Sequence, residues 1–104
     1  MEYCESPYFF RKRQTRQITV GDPDNGGVVI GGTAPVVVQS MLTSDTLDTD
    51  DCVKQTLDLV AVGCQIVRIT AQTVRHAANL EQIVARLREQ GCAVPIVADI
   101  HFKP

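Results

Sequence analysis

Gln65-Ile66-Val67-Arg68-Ile69-Thr70 decides the architecture: a β-branched run broken by one arginine, read as a buried strand. Related runs lie about 30 residues to either side, Ala34-Pro35-Val36-Val37-Val38-Gln39-Ser40 upstream and Pro95-Ile96-Val97-Ala98-Asp99-Ile100-His101 downstream. Val36 to Val38 is continuously apolar rather than alternating, which predicts a strand buried on both faces. A repeat of about 30 residues is the length of one βα unit, whose crossovers are right-handed and whose strands run parallel.

Between the runs the period changes. Asp48 and Asp51 resemble a capping box, and Val53, Leu57 and Val60 follow at helical spacing until Gly63. Ala77, Leu80, Val84 and Leu87 mark one face of a second helix that Gly91 ends. Pro95 opens the last strand, where a missing N–H costs least. Upstream, Gln17–Val20 and Val28–Ile30 flank the turn-forming stretch Gly21–Gly27 and predict a hairpin. The glycines of Gly26-Gly27-Val28-Val29-Ile30-Gly31-Gly32 flank a strand and open no helix, so they are hairpin glycines and not a phosphate loop.

The chain therefore divides into a basic lead-in (1–16) with the aromatic cluster Tyr8, Phe9 and Phe10, a hairpin (17–32), and a β-α-β-α-β unit (33–104). The expected class is α/β. A (β/α)₈ TIM barrel needs about 240 residues, and these 104 end at Pro104 with no helix to cover the third strand. We therefore expect the first three strands of such a barrel, at the N-terminal end of a longer protein.

Composition narrows the function classes. With 44% hydrophobic and 21% charged residues the chain is neither disordered nor fibrous. Ten Lys and Arg against 12 Asp and Glu argue against nucleic acid as a partner. No apolar run approaches the roughly 18 residues of a membrane span, so no membrane partner is expected. Met1–Arg16 lacks the apolar core of a secretory signal, so a cytoplasmic location is expected. Cys4, Cys52, Cys64 and Cys92 form no C-x-x-C pair and read as reduced, half-buried small residues.

In parallel α/β architectures ligands bind beyond the carboxyl ends of the strands. The strand-end residues there are Gln39, Ser40 and Met41 on the first strand, Arg68 and Thr70 on the second, and Asp99 and His101 on the third. Residues two apart share a face, so Arg68 points with Thr70 and Asp99 with His101, while Ile96, Ala98 and Ile100 turn toward the helices. An arginine in such a run needs a carboxylate or an anionic ligand, and a structural ion pair with Asp99 is the alternative to substrate binding. His101 is equally a satisfied rim histidine or a functional one. His76 reads as a surface residue of the second helix.

Taken in order, Arg11-Lys12-Arg13-Gln14-Thr15-Arg16, Ile30-Gly31-Gly32, Pro35-Val36-Val37-Val38-Gln39-Ser40-Met41, Gly63-Cys64-Gln65-Ile66-Val67-Arg68 and Val94-Pro95-Ile96-Val97-Ala98-Asp99-Ile100-His101-Phe102 resemble the start of the 4-hydroxy-3-methylbut-2-enyl diphosphate synthase family. The resemblance implies an oxidoreductase of the non-mevalonate isoprenoid pathway. It would reductively open 2-C-methyl-D-erythritol 2,4-cyclodiphosphate, with ferredoxin or flavodoxin as electron donor. It also implies a TIM barrel that binds the cyclic diphosphate, a C-terminal domain carrying a 4Fe-4S cluster, and a homodimer in which one subunit's cluster domain closes over the other's barrel. The family's cluster ligands are three cysteines and a glutamate, and the four cysteines here lie outside those positions, so this chain alone would be inactive. Carried over by position, Arg68 would bind the diphosphate, Asp99 and His101 would be catalytic at the mouth, and Gln39, Ser40, Met41 and Thr70 would line it. A pterin-binding barrel of the dihydropteroate synthase type and a non-catalytic interaction fragment are the alternatives.

Overall fold

The computed structural model describes residues 14–100. Elements follow in the order β1 (Ile18–Asp22), β2 (Asn25–Ile30), β3 (Gln39–Met41), α1 (Thr49–Ala61), β4 (Ile66–Ala71), α2 (Val74–Glu89) and β5 (Ile96–Ile100). β1 and β2 pair antiparallel, with Ile18 opposite Ile30 and Val20 opposite Val28. β3, β4 and β5 form a parallel sheet in that order.

The hairpin's strands run further into the glycine-rich stretch than turn propensity alone predicts. Only Pro23 and Asp24 remain between them, and the Asp22 carboxylate accepts from the Asp24 N–H at 3.0 Å. Gly26, at φ +78°, explains the difference: a Cβ there would collide with the carbonyl of Ala93. Glycine thus serves a close approach between the hairpin and the segment leading into β5.

The first parallel strand departs from expectation. It starts at Gln39, and Val36 and Val38, expected to be buried on both faces, are 93% and 54% exposed. Among the described residues β3 has a neighbour on one side only, β4, so nothing covers the valines that precede it. The backbone is already engaged there, since Val38 carbonyl accepts from the N–H groups of Gln65 and Ile66 at 2.9 and 3.2 Å.

Helix α1 begins as the capping signal predicts: Asp48 accepts from the Asp51 N–H at 3.2 Å, and Asp50 and Asp51 complement the positive end of the helix dipole. Both helices end in the same motif. Gly63 (φ +103°) and Gly91 (φ +78°) turn the chain, and the next residue's N–H, of Cys64 or Cys92, reaches back to Leu59 or Leu87 carbonyl at 3.0 or 2.9 Å. These are Schellman endings, with Cys64 buried and Cys92 half-buried just past the last turn.

The core lies between the sheet and the two helices. Val67 and Ile69 meet Ile83 and Leu87 of α2 and Cys52 and Val53 of α1. The buried stripe of α2 is Ile83 and Leu87, with Leu80 and Val84 half-buried; Ala77, expected on this face, is exposed. The stripe centres one position off the predicted one because Ile83 contributes more apolar area than Ala77 and turns inward. On β5, Ile96, Ala98 and Ile100 pair with Val67, Ile69 and Ala71 and so share the helix-covered face. No described helix lies over that end, and Ile100 remains 54% exposed.

Candidate functional site

Neighbours in parallel register point to the same side of a sheet, so the pairings show which side chains meet. Gln39 pairs with Ile66 and Met41 with Arg68; Arg68 pairs in turn with Val97, and Thr70 with Asp99. Gln39, Met41, Arg68, Thr70 and Asp99 therefore share the face turned away from the helices, with Thr70 and Asp99 toward the carboxyl ends and Gln39 level with Ile66 at the start of β4. Ser40 does not join them: it pairs with Val67 and turns toward the helices, as period-two alternation demands of a residue between Gln39 and Met41. His101 lies outside the described residues.

The centre of this face is an ion pair. Arg68 Nη2 stands 3.0 Å from Asp99 Oδ2, with the arginine side chain 42% exposed and the aspartate 18%. The guanidinium has five N–H donors, so one contact to a carboxylate leaves others directed at the open side of the sheet. The arrangement can hold an anion that takes two parallel hydrogen bonds.

The segment after β3 completes the rim, and reading the strands alone misses it. Thr43, Ser44, Asp45, Thr46, Gln72 and His76 line, with Leu42 and Thr70, a cleft of about 370 Å³. His76, expected on the surface, is half-buried there, its Nδ1 2.6 Å from Thr73 Oγ1. The available signal is the density of hydroxyl and carboxylate groups in Thr43-Ser44-Asp45-Thr46 directly after a strand end. Gln55 of α1 holds the loop: its Oε1 accepts from the N–H groups of Thr43 and Ser44, both at 3.1 Å, and from the Ser44 hydroxyl at 2.6 Å. A second cleft, about 470 Å³, opens at the other end of the strands between Val28, Leu57, Val60 and Val94. Its lining is largely apolar and offers no charged side chain for catalysis.

The described cysteines do not fit an iron-sulfur cluster. Among the described residues no group of three or more His, Cys, Asp or Glu side chains is placed to hold a metal ion. Cys64 Sγ instead donates to Ile66 carbonyl at 3.0 Å. Burial, reinforced by Asp51, Asp48 and Asp45, pushes the Cys52 thiol from 9.0 up to about 11. A raised acid holds its proton in the fold where the unfolded chain loses it, so this contribution is whole below pH 9 and is lost as pH rises through about 11. Urea denaturation should therefore show stability falling across that window by up to about 2 kcal/mol, with a flatter slope in Cys52→Val. Peptide mapping after iodoacetamide treatment should find Cys92 alkylated well before Cys52; equal labelling would contradict the buried, protonated thiol.

Comparison with known proteins places this geometry in context. The family model described as the GcpE TIM-barrel domain matches residues 15–104. The chain is 57% identical over 102 residues to the 4-hydroxy-3-methylbut-2-en-1-yl diphosphate synthase (flavodoxin) of Akkermansia muciniphila, covering 98% of this chain and 17% of the relative. It is 46% identical over 102 residues to the flavodoxin-type protein of Leptospira interrogans, covering 98% of this chain and 15% of that one. A ferredoxin-type synthase of a Synechococcus species is 46% identical over 90 residues, 86% of this chain and 21% of the relative. The chain thus spans about one-sixth of the length of the first two relatives.

Proposed function

The chain belongs to the GcpE TIM-barrel domain family, and from that premise we propose that it is the first part of a substrate-binding barrel in a reductive synthase. The substrate is 2-C-methyl-D-erythritol 2,4-cyclodiphosphate and the product 4-hydroxy-3-methylbut-2-enyl diphosphate. In this reading β3, β4 and β5 are three of the eight barrel strands, and the hairpin covers the amino-terminal end of the barrel beside Ala93 and Pro95. The exposed edge of β3 and the uncovered face of β5 are where later strands and helices of the longer protein pack. Family membership displaces the pterin-barrel alternative.

The observation that carries the reading is the Arg68–Asp99 pair on one face with Met41 and Thr70. Arg68 binds a diphosphate oxygen pair through the donors Asp99 leaves available, and Asp99 fixes the plane of the guanidinium. Gln39 and Met41 border the bound substrate from β3, Ser40 contributes only through its backbone, and His101 remains, with Asp99, a catalytic candidate on the sequence resemblance alone. Electrons come from outside the chain, by way of ferredoxin or flavodoxin, the donors that the relatives' names carry. A 4Fe-4S cluster supplies the redox chemistry and takes its ligands from the remainder of the longer protein, which acts as a homodimer in the cytoplasm. No helix among the described residues is long and apolar enough to cross a membrane.

The test is turnover by the longer protein with its cluster intact and reduced flavodoxin supplied. Phosphorus NMR should show the cyclic diphosphate signals replaced by those of a linear diphosphate. A cluster-loaded, reduced protein that leaves the cyclic compound untouched would overturn the reading.

A further inference from the structure

Two residues away from the substrate face act on the backbone that carries Arg68. The loop after β3 runs along the end of β4: Leu42 N–H donates to Arg68 carbonyl at 3.0 Å, and Thr46 hydroxyl to Thr70 carbonyl at 2.6 Å. Thr46 is only 5% exposed, so this hydroxyl has little water to turn to. The loop is held in turn by Asn79 of α2, whose Nδ2 donates to Thr46 carbonyl at 2.7 Å and to Thr49 Oγ1 at 3.0 Å. An amide on one helix thus ties down a loop whose own hydroxyl and N–H secure alternate carbonyls of the strand presenting Arg68 and Thr70.

We propose that Thr46 and Asn79 are positioning residues for substrate binding: the Thr46 hydroxyl is spent on the Thr70 carbonyl and Asn79 holds Thr46 from behind, and together they set the direction in which β4 delivers Arg68 and Thr70 to the mouth. The inference rests on the reading that Arg68 grips the diphosphate. Its chemistry is directional. The Thr70 carbonyl at the strand end needs a donor, and Thr46 supplies one whose place is set by Asn79. Small displacements at such a support are costly to affinity because two parallel hydrogen bonds to an anion tolerate little misalignment.

The experiment uses the longer protein and 2-C-methyl-D-erythritol 2,4-cyclodiphosphate, with Kd from calorimetry and KM and kcat from turnover. Thr46→Val, which keeps shape and removes the donor, should raise Kd and KM by about 5- to 10-fold with kcat within about 2-fold. Thr46→Ser restores the hydroxyl and should restore affinity. Asn79→Asp, which replaces the donating NH₂ by a carboxylate, should weaken binding to a similar degree, and the double variant should be no worse than the weaker single because both act through one support. Affinity unchanged in Thr46→Val, no recovery in Thr46→Ser, or fully additive losses would each overturn the proposal. Should either single variant fail to fold, the Val-to-Ser comparison at position 46 or the Asn79→Asp affinity decides alone. Absence of binding by the unmodified protein would instead sink the reading of Arg68.

Discussion

Arg68→Ala in the longer protein will weaken binding of the cyclic diphosphate by on the order of 100-fold, while lowering Tm by only about 2–4 °C. The asymmetry follows from where the guanidinium sits. Its side chain is 42% exposed, and its partner Asp99 is 18% exposed, so water screens the pair and its contribution to folding is about 0.2–1 kcal/mol. A diphosphate taken from solution meets the same group as a charged fork, and losing charge-assisted hydrogen bonds of that kind costs about 2–5 kcal/mol. Arg68→Lys should fall between, because an ammonium keeps the charge and loses the fork. Calorimetric titration beside a melting curve separates the two roles. Proportionate losses of affinity and stability would identify Arg68 as a structural ion-pair partner.

The second large effect concerns folding. Ile69 is fully buried in the middle of β4, the central strand of the parallel sheet, and packs in the core with Ile83 and Leu87. Ile69→Ala should cost about 2–5 kcal/mol, the transfer term plus the cavity left between sheet and helices. Total stabilities are only about 5–15 kcal/mol for ordinary domains, so in the 104-residue chain the substitution should remove most of the cooperative urea transition seen by circular dichroism. Ile100→Ala on the same sheet face is the control. With Ile100 54% exposed, its loss in this chain should stay within about 0.5 kcal/mol. A comparable effect at both positions would mean that the core does not lie where the structure puts it.

Much of this follows from local rules. Period-two alternation and a parallel register suffice to put Arg68, Thr70 and Asp99 on one face, and glycines at 63 and 91 mark both helix ends. The same alternation, applied strictly, also separates Ser40 from Gln39 and Met41. The exposure of Val36 and Val38 could not be read in this way, because a strand's burial depends on neighbours that its own residues do not encode. The turn-rich residues of the hairpin belong to strands because Gly26 must pass close to Ala93, a contact remote in sequence. The rim loop is the clearest case. Its shape is imposed by Gln55 and Asn79, 12 and 33 residues from Thr43 and Thr46 respectively, and no periodicity signals side-chain amides that bind distant backbone.

The twin Gly-Cys helix endings bear on how thiols in such chains should be interpreted. At both junctions the cysteine follows a left-handed glycine and its backbone N–H closes the helix end, with Cys64 buried and Cys92 half-buried. What these junctions demand of the residue is its main-chain N–H and not its sulfur, so a count of cysteines is a poor guide to redox function in such chains.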